Sequence, residues 1–102
     1  MYVIDSNIII YLLNGDLKVK NWLLERKENK ELVNLSIISK IEILSSPSLT
    51  ESQIYEINDL MDKLGVVLVN DSIAQLAAKA RRGGIRQIAD AIVFATAAHY
   101  RA

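Results

Sequence analysis

Tyr2-Val3-Ile4-Asp5-Ser6-Asn7-Ile8-Ile9-Ile10-Tyr11-Leu12-Leu13 places nine apolar or aromatic residues around one polar triplet, Asp5-Ser6-Asn7. Val3-Ile4 is short, β-branched and apolar, as a buried strand is. Asn7 to Leu13 reads as a helix closed by the turn-forming Asn14-Gly15-Asp16. An unpaired buried charge costs several kcal/mol, so the carboxylate of Asp5 must be exposed by a turn, hydrogen-bonded, or held by a cation. Capping of the helix by Asp5 or Ser6 meets the second condition, and the third is a function.

The same alternation of strand and helix continues along the chain. Leu17 to Glu28 has apolar residues at Leu17, Val19, Trp22, Leu23 and Leu24 among Lys, Arg and Glu, which predicts an amphipathic helix. Leu32 to Leu35 reads as a second buried strand. Ser36 or Ser39 caps the next helix, which ends near Leu44 before Ser45-Ser46-Pro47-Ser48. Thr50 and Gln53 form a capping box ahead of Ile54, Ile57, Leu60, Met61 and Leu64, and Gly65 stops that helix. Val66 to Val69 predicts a third strand, Asp71 or Ser72 caps a helix to about Arg82, and Gly83-Gly84 ends it. Ile88 to Tyr100 is Ala-rich and predicts a largely buried last helix. Apolar strands separated by helices imply an α/β fold, a three-layer α/β/α arrangement on a parallel sheet with right-handed crossovers.

At 102 residues, with 51% apolar and 24% charged residues, the composition is that of one globular domain, 1–102. Twelve basic residues balance twelve acidic ones, so net charge announces neither nucleic acid nor a membrane surface. The absence of cysteine excludes a disulfide framework, a thiolate metal site and a cysteine nucleophile, and suits a reducing compartment, with the cytoplasm as the default. No apolar run reaches the roughly 18 residues of a spanning helix, and no basic leader precedes Val3, so neither membrane insertion nor secretion is expected.

Ligands of open parallel sheets bind beyond the carboxyl ends of the strands, where Asp5 falls. Glu42 follows the second strand by about two helical turns, and Asp90 stands at the start of the last helix, where the dipole favours an anion. Convergence of three carboxylates requires a hard divalent cation, and such a site implies hydrolysis of phosphodiesters. Each residue also has a plain structural reading: Asp5 as a cap, Glu42 on a solvated helix face, Asp90 as dipole compensation. His99, lone and near the end of the sequence, reads as surface.

The segments V-I-D-S-N-I-I-I-Y-L-L, S-I-I-S-K-I-E-I-L-S-S and I-A-D-A-I-V-F-A-T-A resemble, in order and spacing, the signature blocks of the PIN domain, especially toxins of the VapC type from toxin–antitoxin pairs. The resemblance implies an endoribonuclease using Mg²⁺ or Mn²⁺ and inhibited by a cognate antitoxin. By that resemblance Asp5, Glu42 and Asp90 are the metal-binding and catalytic acids, with Ser6, Asn7 and Thr96 in support. The family pattern continues past the last helix into another strand and a further acidic or Asn residue. The sequence ends at Ala102 without them, so a C-terminally truncated sheet with an open edge, weakened metal affinity and self-association, most simply a homodimer, is expected. A catalytically inactive PIN-like module binding protein or RNA is the competing reading. Arg81, Arg82 and Arg86 stand shortly before Asp90, where they either meet RNA phosphates or offset a helix dipole. Tyr2, Tyr11, Trp22, Tyr55, Phe94 and Tyr100 show no stacking-platform spacing and read as packing.

Overall fold

The computed structural model describes residues 1–101. Along the chain run β1 (Tyr2–Ile4), α1 (Ser6–Leu13), α2 (Leu17–Glu28), β2 (Val33–Ser36), α3 (Ile37–Leu44), α4 (Glu51–Leu64), β3 (Val66–Val67), α5 (Asp71–Arg82) and α6 (Ile88–Tyr100). The strands form one parallel sheet in the order β1-β2-β3.

Side chains alternate across a strand, and this period divides the sheet into two faces. Ile4, Val33 and Leu35 pack with Ile9 of α1, Ile43 of α3 and Ile57 and Met61 of α4, with Trp22 and Leu23 of α2 against them. On the other face Val67 meets a second cluster, Ile73 and Ala77 of α5 with Ala91 and Ala95 of α6. α6 also packs on β1 and β2. The fold is therefore α/β, with three layers.

Local chemistry sets most helix bounds. Asp16 Oδ1 accepts from the backbone N–H of Lys18 (2.9 Å) and Val19 (3.2 Å) to start α2. Thr50 and Gln53 complete the expected capping box of α4: Gln53 N donates to Thr50 Oγ1 at 3.2 Å and Thr50 N to Gln53 Oε1 at 2.9 Å. Gly65 ends α4 at φ +95, a backbone conformation that favours glycine, and a Cβ there would lie 2.5 Å from Asn34 Oδ1, so the Asn34 side chain would have to move.

Four expectations change. β3 stops at Val67 instead of Val69, because its partner runs out: Ser36 pairs with Val67 and then turns to cap α3, leaving Leu68 69% and Val69 38% exposed. β2 runs Val33–Ser36 and leaves Leu32 just outside the strand, its carbonyl accepting from Tyr2 N at 2.8 Å. The cap of α5 is Asn70, whose Oδ1 accepts from Ile73 N at 2.8 Å, so Asp71 is the first helical residue instead of the cap. α6 is buried on one side only, through Ala91, Ala95 and Thr96. Ile88, Phe94 and Tyr100 face outward because the described structure covers only the small-residue side. Among the described residues, no helix is long and apolar enough to cross a membrane.

Candidate functional site

β1 ends at the residue that starts α1. Asp5 Oδ1 accepts the backbone N–H of Asn7 at 3.0 Å and of Ile8 at 3.3 Å, so the capping reading holds. Both bonds fall on one carboxylate oxygen, and the side chain stays exposed, so capping fixes its direction without enclosing it. Ser6 and Asn7 are the first two residues of α1, and the Asn7 amide is one of the donors that orient Asp5.

Glu42 lies on α3, exposed, in a groove of about 360 Å³ that it shares with Asn14, Gln53 and Glu56. Asp5 lines a different groove, of about 480 Å³, beside Lys18 and Trp22. Asp90 is exposed in the first turn of α6, where the cap residue Gln87 makes no side-chain bond. The elements do meet: α1 packs on α3, and α6 packs on both α3 and β1. Their carboxylates are hard oxygen donors of the kind Mg²⁺ and Mn²⁺ take. Among the described residues, however, no three acidic or histidine side chains are grouped to hold a metal ion. The site thus fits a divalent cation in donor chemistry but is not a ready three-ligand cage.

Thr96 is buried, and its hydroxyl donates to the Ile92 carbonyl at 2.7 Å, one turn back in its own helix. Arg81 donates from Nη2 to the Arg86 carbonyl at 3.3 Å, closing the loop between α5 and α6. Arg81, Arg82 and Arg86 are all exposed, and none is in an ion pair among the described residues.

The PIN domain model matches residues 2–102. The chain belongs to the PIN domain family. Among curated proteins, none matches it. PIN domains are generally nucleases that use divalent metal ions, and a nuclease function is what membership supports. The fold of this PIN domain carries Asp5, Glu42 and Asp90 on β1–α1, α3 and α6, elements that touch one another.

One cluster near Asp5 escaped the sequence reading, in which Tyr2 and Trp22 are plain packing and Arg26 is only one of the charged residues of an amphipathic helix. The Arg26 guanidinium lies 5.5 Å from the ring centre of Tyr2 and 5.2 Å from that of Trp22, and the two rings meet edge to face at 5.1 Å. Its Nη1 donates to the Tyr2 hydroxyl at 3.1 Å, and it pairs with Glu25 at 3.0 Å and Glu31 at 3.7 Å. The hydrogen bond to Tyr2 is the main reason its pKa lies above the usual guanidinium value; burial opposes the shift, and Glu31 and Glu25 add to it. Trp22 and Arg26 are four apart on α2, a spacing that could have flagged the pair.

Proposed function

We propose that this PIN domain, over residues 1–102, is a metal-dependent endoribonuclease and a toxin of the VapC type, held inactive by a cognate antitoxin in the cytoplasm and assembling as a homodimer. The observation that carries the reading is the family match over residues 2–102 together with Asp5 held at the carboxyl end of β1. Asp5, Glu42 and Asp90 would hold Mg²⁺ or Mn²⁺, which when bound supplies charge against a phosphodiester and acidifies water. The chain's own part is positional. The amides of Asn7 and Ile8 keep one oxygen of Asp5 fixed and leave the other free. Asp90 has the free amides of the α6 start beside it, and Arg81, Arg82 and Arg86 offer unpaired cations for RNA phosphates. Ser6, Asn7 and Thr96 support the acids by setting the backbone and packing around them.

Cleavage of single-stranded RNA by the intact chain with Mg²⁺ or Mn²⁺ is the test. Asp5→Asn and Asp90→Asn should each lower the rate by about 100-fold, the upper range for losing even an indirect metal partner. Equal cleavage by all three proteins would refute the assignment. The inactive-module reading draws on the lack, among the described residues, of a grouped three-acid cluster. Calorimetry with Mn²⁺ separates the two, since measurable binding lost in Asp5→Asn belongs only to the nuclease.

A further inference from the structure

The groove that Asp5 lines holds more than an acid. It has a volume of about 480 Å³ and walls from β1, α1 and α2, with Tyr2, Ile8, Val19 and Trp22 on its apolar surface and Lys18 as its cation. Lys18 and Trp22 are four apart on α2, so the cation and the indole stand one helical turn from each other on the same side. Lys18 is exposed and has no ion-pair partner among the described residues.

Trp22 is held from outside the groove. Arg26, one turn further along α2 and away from the groove wall, lies 5.2 Å from the indole centre, and Tyr2 meets the indole edge to face at 5.1 Å. Arg26 is fixed in turn by the Tyr2 hydroxyl at 3.1 Å and by Glu25 at 3.0 Å. A ring whose rotamer is already set loses little entropy when a flat ligand stacks on it. Tyr2 and Trp22 are only half-buried, so packing leaves part of each ring uncovered.

We propose that this groove seats an unpaired nucleobase of an RNA strand against Trp22, with Lys18 on the adjoining phosphate and the backbone running on to Asp5. The inference rests on the ribonuclease reading above, and it turns Trp22 and Lys18 from packing and surface into substrate-binding residues. A single strand offers the two groups the groove can use, a flat π surface and a phosphate, and every base has such a surface. Continuity of the groove with Asp5 sets the seated nucleotide beside the acid. β1 is an edge strand, so an extended peptide pairing along it is the rival occupant. Its three residues offer only a short ladder, and a peptide backbone brings no anion for Lys18.

Trp22 is the one tryptophan of the chain, so its fluorescence reports this groove directly. The test titrates the intact, metal-free chain with short single-stranded oligoribonucleotides and with an abasic oligomer of the same backbone and length. The base-bearing oligomers should quench Trp22 and bind about tenfold more tightly than the abasic one. Trp22→Phe should keep most of that preference, and Trp22→Ala should lower base-bearing binding to the abasic level. Lys18→Gln should weaken both kinds of oligomer by the same factor and reduce the salt slope by about one phosphate contact. Trp22 also packs against the core, so where Trp22→Ala fails to fold, the quench in the unsubstituted chain and the exposed Lys18→Gln decide. The proposal is overturned by no RNA binding, by an unquenched Trp22 at saturation, by equal affinity for the abasic oligomer, or by an extended apolar peptide that quenches Trp22 where RNA does not. Binding is read without metal and without cleavage, so the two readings fail separately. A chain that is quenched by RNA but never cuts it with Mg²⁺ or Mn²⁺ keeps the base seat and loses the nuclease. One that cuts RNA with Trp22 unquenched keeps the nuclease and loses the seat.

Discussion

Asp5 caps α1, and this observed role can be separated by substitution from the metal-binding role proposed for the same carboxylate. Its Oδ1 closes the first turn of α1, a task that Asn performs as well as Asp, whereas Ala leaves the Asn7 and Ile8 amides unsatisfied. Asp5→Ala should therefore cost about 1 kcal/mol of stability in denaturant melts. Asp5→Asn should stay within a few tenths of wild type. Equal destabilisation by the two would mean that the cap contributes nothing and that the charge itself stabilises the fold. Asn is accordingly the cleaner variant for assigning chemistry to this residue. Thr96 differs: its buried hydroxyl is already donated to the Ile92 carbonyl of its own helix.

At the scale of an element, the end of α2 is the informative place, where Lys30 has φ +56, in the left-handed region. The left-handed conformation costs a non-glycine residue about 1–2 kcal/mol, and glycine returns part of that as entropy in the unfolded chain. Lys30→Gly should thus stabilise the protein by about 0.5–1 kcal/mol, read as a rise of several degrees in melting temperature. A fall in stability would show that the Lys30 side chain makes contacts worth more than the strain. β3 shows the opposite dependence, since Leu68 and Val69 have strand-forming side chains and still lie outside the sheet. The limit is set in β2, where Ser36 leaves the ladder to cap α3.

Across the whole molecule the two faces of the sheet are unequal. One is filled by Ile4, Ile9, Leu35, Ile43, Ile57 and Met61, the other chiefly by Ile73 and alanines of α5 and α6. Apolar area buried scales with stabilisation, at about 25 cal/mol per Å², so the alanine face has less to lose on opening. Native-state hydrogen exchange should show the amides of Ala77, Ala91 and Ala95 exchanging through a partial opening, with Leu35 and Met61 opening only on global unfolding. A single opening free energy for both sets would mean that α5 and α6 are bound into one cooperative unit with the rest. The outward Ile88, Phe94 and Tyr100 belong to this weaker layer.

The amino-acid sequence alone determined the α/β class and most helix bounds. α2 runs from Leu17 to Glu28 and α6 from Ile88 to Tyr100 as the periodicity predicts, and Thr50 and Gln53 cap α4. These features rest on hydrogen bonds and side chains three or four residues apart, which a linear pattern records. Three signature segments likewise made the family legible, with Asp5, Glu42 and Asp90 as its candidate acids. Tertiary structure decided what depends on distant residues meeting: where β3 loses its partner, which side of α6 is covered, and how Tyr2 comes to lie against Trp22 and Arg26. It also decided that Asp5 and Glu42 open onto separate grooves and that lysines and leucines of α2 and α4 share a third. Spacing along a chain fixes which face of a helix a residue occupies, but only packing sets what that face meets.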